Sequence, residues 1–231
     1  LADTPLYSFE TQFLCVDVNL RLESNKLKSE DIPTQSQAKP GLNPDLVTPT
    51  PFVPADPHVR NAHCQEALQI QAAGLAKRIK FTGTKKLVLG LSGGMDSTLA
   101  LLVSLRALEL LGMDKQNILA LSMPGPGTSS RSLNKSAQLA KLVGVSFLEI
   151  PIHEALNQHL RDLKHALDLF DVTYENAQAR ERTQILMDKA NQVGGLVVGT
   201  GDLSELALGW CTFNADHMSM YHVNAGVPKT W

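Results

Sequence analysis

The distribution of apolar and polar residues predicts short buried strands that alternate with helices over most of the chain. Four apolar runs are typical of buried strands: 87–91, 117–123, 145–152 and 196–199. Five stretches before or between them indicate helices: 63–80, 98–111, 132–143, 154–170 and 174–193. Gly112 and Gly144 directly follow two of these helices, where a left-handed residue commonly ends a helix. In the first helix, Ala67, Ile70, Gly74 and Leu75 are predicted near one face.

Strands that alternate with helices of this length predict an α/β fold, a doubly wound parallel sheet with helices on both faces. Ligands of such sheets bind outside the carboxyl ends of the strands, near the point where the strand order reverses. Three loops that directly follow predicted strands start at Ser92, Pro124 and Thr200. We therefore expect these loops to converge on one site.

The segment before the predicted α/β domain has a different character. Alternating apolar residues over 9–22 predict a strand with no nearby partner, which fits the end of a preceding domain at 1–31. Residues 32–58 hold seven of the twelve prolines and indicate a linker. Residues 59–231 then form the main domain. Because the chain starts without methionine and stops just after a loop-like segment, we expect an internal fragment whose domain is incomplete at the C-terminus.

The loop after the first strand is suited to binding phosphate. The adjacent Gly93 and Gly94 allow close approach of the backbone, the following helix start offers N–H groups, and Ser92 and Ser97 add hydroxyls. The spacing is not that of the common P-loop, because no lysine follows the glycines. A carboxylate at Asp96 suits this setting if magnesium lies between it and the phosphates of a nucleoside triphosphate. The alternative is that Asp96 caps the helix and the glycines only form a turn.

A second acidic loop follows the strand at 196–199. It offers Thr200 and two carboxylates, of which Glu205 is a second potential magnesium ligand opposite Asp96. The alternative is a helix cap made by Asp202 or Ser204, with Glu205 in a capping box.

The helix before that strand also carries a polar row. Asn176, Arg180 and Gln184 recur every four residues and therefore share a face, which is typical of either a binding surface or a solvated one.

Composition excludes several classes of function. A net charge of −2 argues against a general nucleic-acid partner, and no apolar run is long enough to cross a membrane. Three distant cysteines indicate a reducing compartment, so we expect a cytoplasmic protein. His217 and His222 lack a third metal ligand, and nothing in the neighbouring sequence would activate Cys211, so structural roles are favoured for all three.

Five ordered motifs together resemble the glutamine-dependent NAD synthetases, members of the ATP pyrophosphatase superfamily. They are Ser92–Ser97 (S-G-G-M-D-S), Met123–Ser129, Tyr174–Arg180, Val198–Glu205, and Asp216–Ser219 with the later Val227–Thr230. The resemblance covers residue 60 to the end, and the strand at 9–22 is similar to the tail of that family's nitrilase-like glutaminase domain. Pro126 departs from the family, which usually has a bulky residue there, and this leaves the adenine contacts of its loop open.

The resemblance implies roles for individual residues. Those implied to bind ATP are Gly90, Leu91, Ser92, Gly93, Gly94, Met95, Asp96, Ser97, Thr200 and Lys229. Those implied to hold nicotinic acid adenine dinucleotide are Asn176, Arg180, Glu205, Trp210, Cys211, Thr212, Phe213 and Asp216. Asp96 and Glu205 are the implied magnesium ligands, although Glu205 also matches a position that serves the dinucleotide. With Lys229, these two carboxylates form the implied catalytic set.

The implied reaction is ATP-dependent amidation of nicotinic acid adenine dinucleotide to NAD through an adenylated intermediate, with release of AMP and pyrophosphate. Ammonia comes from glutamine through a preceding domain, or from free ammonium. The resemblance also implies an adenine nucleotide alpha hydrolase-like fold and a homo-oligomer in the full-length protein. The charge and the apolar runs, as described above, predict neither a nucleic-acid nor a membrane partner. Two alternatives stay open: another ATP pyrophosphatase amidotransferase, such as a GMP synthetase-like enzyme, or a non-catalytic nucleotide-binding module.

Overall fold

A parallel sheet of five strands forms the centre of the protein in a computed structural model that describes residues 7, 11–13 and 53–229. The strands are β1 (Lys86–Gly90), β2 (Ile118–Ser122), β3 (Ser146–Glu149), β4 (Gly195–Gly199) and β5 (Tyr221–His222). The helices are α1 (Pro57–Thr82), α2 (Met95–Leu110), α3 (Ser130–Val143), α4 (His153–Asp162), α5 (Val172–Val193) and α6 (Leu203–Leu208), and a 3-10 turn spans Lys115–Asn117.

The strand order is β3-β2-β1-β4-β5, and every pairing is parallel. Along the chain, β2 and β3 are added in turn on one side of β1, and β4 and β5 are then added on its other side. The order reverses between β1 and β4, which is the point where doubly wound sheets bind ligands. We therefore expect a ligand to bind at the loops that follow β1 and β4.

Helices cover both faces of the sheet, as the sequence predicts. Leu87 and Leu89 of β1 are buried in one core, with α1, α2 and the start of β2. Val88, between them, points to the other face and lies in a second core with residues of α5 and β4. Because successive side chains of a strand point to opposite faces, an uninterrupted apolar run fits a strand that is buried on both sides.

Several element boundaries differ from the sequence prediction. The helix predicted over 154–170 ends at Asp162, and Lys164 follows with a left-handed φ of 56°. Strand β3 is shorter than the predicted 145–152, and β5 has no counterpart in the prediction. In α1, Ile70 is 57% exposed, whereas the residues of that helix that are buried are Ala72, Leu75, Ala76 and Ile79.

The predicted segments before the main domain fall mostly outside the described residues. Of the strand predicted over 9–22, only residues 11–13 are described, and they have no regular secondary structure. Of the linker predicted over 32–58, the part from 53 onward is described, and α1 already begins at Pro57 with Asp56 as its cap. Across the described segments, no helix combines the length and the apolar character that crossing a membrane requires.

Candidate functional site

The loops after β1, β2 and β4 converge on one cavity of about 360 Å³, and α5 closes its side. Of the residues that the resemblance implies for ATP, six line this cavity: Gly90, Leu91, Ser92, Asp96, Ser97 and Thr200. Three others in the same loop, Gly93, Gly94 and Met95, do not line it, and the Met95 side chain is exposed. The expectation that the three loops converge is confirmed.

The loop after β1 has the local geometry of an anion site. Gly93 has a left-handed φ of 81°, which favours glycine, and a Cβ there would make a tight contact of 3.1 Å with the carbonyl oxygen of Ser132. The Gly94 N–H donates to the Ser92 hydroxyl at 3.3 Å, and the hydroxyl of Ser97 lies 3.2 Å from that of Ser92. Helix α2 begins directly afterwards, and the N–H groups of a helix's first turn have no partners within the helix.

Asp96 does not cap α2 through its side chain. Gly94 occupies the cap position, and no side chain accepts a hydrogen bond there. The Asp96 carboxylate instead accepts a hydrogen bond from Lys229 Nζ, 2.9 Å from its Oδ2. The capping alternative for Asp96 is therefore wrong, and this carboxylate is directed toward the second acidic loop.

Lys229 joins the two acidic loops. Its Nζ lies 3.3 Å from Glu205 Oε1 and forms a shorter ion pair with Asp202 Oδ2, in addition to the contact with Asp96. One carboxylate oxygen from each of the three acidic residues lies within 4.8 Å of the other two. The fold thus brings Asp96, Glu205 and Lys229, the implied catalytic set, to one place.

Asp202 and Glu205 form the capping box that the sequence offered as an alternative. Asp202 Oδ1 accepts from the Glu205 N–H at 2.9 Å, and the Asp202 N–H donates to Glu205 Oε2 at 3.1 Å. This local role leaves Asp202 Oδ2 and Glu205 Oε1 directed at Lys229. The capping and site roles are therefore compatible, because each carboxylate has two oxygens.

The charges of this cluster are mutually stabilised. Burial raises the pKa of Asp202, which is 3% exposed, but the bonds from Lys229 and from the Glu205 N–H outweigh burial and leave that pKa below its ordinary value. Burial lowers the pKa of Lys229, yet its contacts with Asp202, Asp96 and Glu205 raise that pKa well above its ordinary value. Both groups are ionised at neutral pH.

The donor set of the cluster suits a hard divalent cation. Carboxylate oxygens are the ligands that magnesium prefers, and Asp96 and Glu205 present theirs from opposite loops at the reversal point of the sheet. The ammonium of Lys229 pairs with the same carboxylates, which shows that this point attracts positive charge, and magnesium would compete with it. The residues therefore fit the implied magnesium site.

Of the residues implied for the dinucleotide, only Asp216 and Arg180 line a cavity. Arg180 lines a second cavity of about 410 Å³, together with Gln184, and Thr183 and Met218 line both cavities. The Arg180 Nε donates to the carbonyl oxygen of Phe213 at 3.2 Å.

The segment over 210–216 is tied to α5 and to the first cavity. The Thr212 hydroxyl donates to Asn176 Oδ1 at 2.9 Å, and the Thr212 N–H donates to Asp216 Oδ2 at 3.3 Å. Asp216 also lines the first cavity, whereas the side chains of Trp210 and Phe213 are exposed.

Cys211 has a neighbour that the sequence did not reveal. Its Sγ lies 3.7 Å from Nδ1 of His217, six residues further along the chain. His222 contacts His217 through the backbone, because His222 Nε2 donates to the carbonyl oxygen of His217, whose ring faces Cys211.

Three residues of the site are not among those that the sequence indicates for ligand binding. Asp202 was considered only as a cap. Arg182 lines the first cavity and donates from Nε to the carbonyl oxygen of Met123 at 3.0 Å. Asn224 is 1% exposed and donates from its amide to the carbonyl oxygens of Asp96 and Thr200. Its bonds span distant segments, and no local sequence pattern indicates them.

Comparisons with known proteins identify the family of this chain. The NAD synthase family profile matches residues 67–231. The glutamine-dependent NAD(+) synthetase of Mycobacterium tuberculosis is 47% identical over 185 residues, which are 78% of this chain and 27% of that protein. This chain therefore spans about a quarter of that relative's length.

Solved structures agree with the sequence relatives. The glutamine-dependent NAD+ synthetase from Acinetobacter baumannii, in complex with ADP, has a TM-score of 0.67 and 34% identity, with coverage of 72% of this chain and 31% of that one. The NH3-dependent NAD synthetase from Campylobacter jejuni, in complex with nitrate, has a TM-score of 0.64 and 27% identity, with coverage of 72% and 69%. Since the family profile also covers well over half of these residues, the chain belongs to the NAD synthase family.

Proposed function

We propose that this chain is the ATP-binding part of a glutamine-dependent NAD(+) synthetase, which amidates nicotinic acid adenine dinucleotide to NAD. The observation that carries the proposal is the meeting of Asp96, Glu205 and Lys229 beside the cavity formed by the loops after β1, β2 and β4. Family membership supports the same reaction, because relatives of this family carry the name glutamine-dependent NAD(+) synthetase.

ATP would bind with its phosphates against the loop after β1. The N–H groups at the start of α2, the dipole of that helix and the hydroxyls of Ser92 and Ser97 all favour negative charge there. Asp96 and Glu205 would hold magnesium, which would offset the charge of the phosphates. The ammonium of Lys229 adds a positive charge at the same place.

The dinucleotide would bind on the side of α5. Arg180 lies in the second cavity, which adjoins the first at Thr183 and Met218, and the guanidinium can pair with a phosphate of the dinucleotide. The bonds from the 210–216 segment to α5 keep Thr212 and Asp216 close to both cavities. A nicotinate group between the two cavities would face the α-phosphate of ATP.

The chemistry then needs positioning and charge stabilisation rather than a protein nucleophile. A carboxylate oxygen of the nicotinate attacks the α-phosphorus, a new P–O bond forms, and the bond from that phosphorus to the bridging oxygen breaks as pyrophosphate leaves. Ammonia then attacks the carbonyl carbon of the adenylate. AMP leaves with the electron pair of the broken C–O bond, and the nitrogen loses a proton to give the amide.

An assay of the products tests the proposal. The protein in its full natural length is supplied with magnesium-ATP, ammonium and nicotinic acid adenine dinucleotide, and AMP, pyrophosphate and NAD are quantified. We expect the three products in equal amounts, and a loss of at least about a hundredfold in the Asp96→Asn variant, because removal of one transition-state charge contact typically costs 10²–10³ in rate. Absence of AMP would overturn the proposal.

A substrate exchange separates the alternatives. Xanthylate in place of the dinucleotide would give GMP in a GMP synthetase-like enzyme, and that result would replace the proposed substrate. Binding of magnesium-ATP without formation of AMP from any acceptor would instead show a non-catalytic nucleotide-binding module.

The organisation of the whole protein is also part of the proposal. Residues 1–31 would end a nitrilase-like glutaminase domain that releases ammonia, 32–58 would link it to this domain, and the protein would work as a homo-oligomer in the cytoplasm. The name of the 47%-identical relative, which includes glutamine as the nitrogen source, supports the first of these points.

A further inference from the structure

We propose that Asn224 is the positioning residue that assembles the site, by holding the loop of Asp96 against the loop of Thr200. The inference rests on the proposed function, since it assigns Asn224 a part in binding the nucleotide. Asn224 is 1% exposed and lies just after β5, outside the loops that the sequence indicates for phosphate and metal.

The side-chain amide of Asn224 makes three hydrogen bonds. Its Nδ2 donates to the carbonyl oxygen of Asp96 at 2.9 Å and to that of Thr200 at 3.2 Å. Its Oδ1 accepts from Gln71 Nε2 at 3.1 Å, and the same Gln71 nitrogen donates to the carbonyl oxygen of Val223 at 2.9 Å. Two carbonyl oxygens need a donor between them, and an amide nitrogen supplies two N–H groups at once.

These bonds join two loops that lie beyond the paired residues of β1 and β4, where the ion pairs of Lys229 form a second connection. Asp96 and Thr200 follow β1 and β4, the strands between which the sheet order reverses. A shift of the Asp96 carbonyl would move the Asp96 carboxylate, and a shift of the Thr200 carbonyl would move the loop that leads to Glu205. Either shift would change the distance between the two carboxylates. The Asn224 amide therefore sets the separation of the two acidic loops.

The backbone of the same residue reaches the third member of the site. The Asn224 carbonyl oxygen accepts from the Val227 N–H at 2.9 Å, and the Val227 carbonyl oxygen accepts from the Leu203 N–H at 3.1 Å, which seats the turn on the start of α6. Two residues later, the Lys229 N–H donates to the Ser204 hydroxyl at 3.1 Å. Asn224 is thus the base of the segment that carries Lys229 into the cluster.

The central variant is Asn224→Asp, which keeps the size of the side chain. The carboxylate that it introduces has no hydrogen to donate and faces two carbonyl oxygens, so the loops lose their tie. We expect magnesium-ATP to bind about tenfold more weakly, because this loss of affinity corresponds to the free energy of about one hydrogen bond. Asn117→Asp makes the same chemical change before β2, at the far end of the sheet from the site, and should bind magnesium-ATP as the wild type does.

A double-variant cycle distinguishes positioning from general stability. If Asn224 acts through the Asp96 loop, its replacement in an Asp96→Ala background should weaken magnesium-ATP binding by only about threefold or less, because coupled residues are not additive. Losses that multiply in the double variant would show a purely structural role and overturn the inference. Binding of magnesium-ATP by Asn224→Asp within twofold of the wild type would also overturn it.

A second variant covers the case in which Asn224→Asp does not fold. Gln71→Met removes the bond that orients the Asn224 amide, at a helix position that does not line either cavity. We expect a several-fold loss of magnesium-ATP affinity with the same lack of additivity toward Asp96→Ala, and unchanged affinity would contradict the inference.

Binding by calorimetry in the full-length protein also separates this inference from the proposed function. A wild type that binds ATP but makes no NAD refutes the proposed function, and the double-variant cycle of ATP affinities can still be measured. A wild type that does not bind ATP refutes both.

Discussion

Replacement of Asp202 by asparagine separates the two roles of this residue, as a helix cap and as the buried partner of Lys229. An asparagine Oδ1 can still accept the Glu205 N–H, so the cap survives, whereas the ion pair with Lys229 is lost. Asp202→Ala removes both. A comparison of the two variants therefore isolates the cap from the charge.

The structure determines how much free energy of unfolding each variant should lose. Removal of one partner of a fully buried ion pair costs roughly 3–5 kcal/mol. Lys229, however, is 41% exposed and keeps Asp96 and Glu205 as partners, so the expected loss in Asp202→Asn is nearer about 1–2 kcal/mol. Asp202→Ala should cost about 1 kcal/mol more, the usual contribution of a cap.

The pH dependence of stability gives the sign of the charge effect. The pKa of Asp202 is lowered in the folded protein, so its contribution to stability is present above its unfolded pKa of about 3.9 and is lost as the pH falls through the lower folded value. The difference between wild type and Asp202→Asn should therefore be full at pH 7 and vanish under strongly acidic conditions.

Urea unfolding at pH 7 and at successively lower pH measures these differences. At about 2–4 °C per kcal/mol for a domain of this size, thermal midpoints should also separate the three proteins. Equal stability of wild type and Asp202→Asn at pH 7, or a difference that persists at the lowest pH, would refute the reasoning.

Three further changes test other contacts of the site. Lys229→Met should lower ATP turnover at least about tenfold through loss of a charge-assisted contact. In calorimetry without ATP, the same variant should bind magnesium more tightly, because the competing ammonium is gone. Weaker magnesium binding would contradict this. Gly199→Ala should cost about 1–3 kcal/mol in urea unfolding, since the new Cβ would overlap Ser219 and lie 2.6 Å from His222 Nδ1; unchanged stability would show that both side chains yield freely. Ser219→Ala should leave stability within about 0.5 kcal/mol, because its buried hydroxyl has no hydrogen-bond partner among the described residues. A large loss of stability in urea unfolding would show that the hydroxyl has a structural partner.

The sequence predicted the strands of the central sheet well, for a physical reason. The run Leu87–Leu91 is apolar without interruption, as a strand covered on both faces must be, and a glycine-rich loop ends it. Strand β5 carries no such signal, because Tyr221–His222 is too short for a pattern and is a strand only through its pairing with β4.

The error after α4 has a local cause that propensity does not reveal. Leu163, Leu167 and Phe170 continue a spacing compatible with a helix, but Lys164 adopts a left-handed conformation and the chain leaves the helix there. The His165 N–H then donates to the carbonyl oxygen of Leu160, which closes the end of α4.

The site could be predicted in part. Asp96 and Glu205 each stand in a loop that follows a buried strand, and parallel topology brings such loops together. Asp202 carried a signal too, but a carboxylate at a helix start is explained by capping alone, and only the fold shows its second oxygen facing Lys229. The Asn224 bond to the carbonyl of Asp96 crosses 128 residues and depends on no side chain at its far end.

Asn224 and Lys229 follow β1 through β4 along the chain, and this order bears on how the site is assembled during synthesis. During synthesis, β1 through β4 leave the ribosome before the segment that ties the two acidic loops, and contacts between such distant residues form late. A nascent chain that stops short of residue 224 can bury most of its core and still lack the tie and the ammonium. The proposed nucleotide site would then be complete only after residues 224–229 have been made, when β1 through β4 can already have paired.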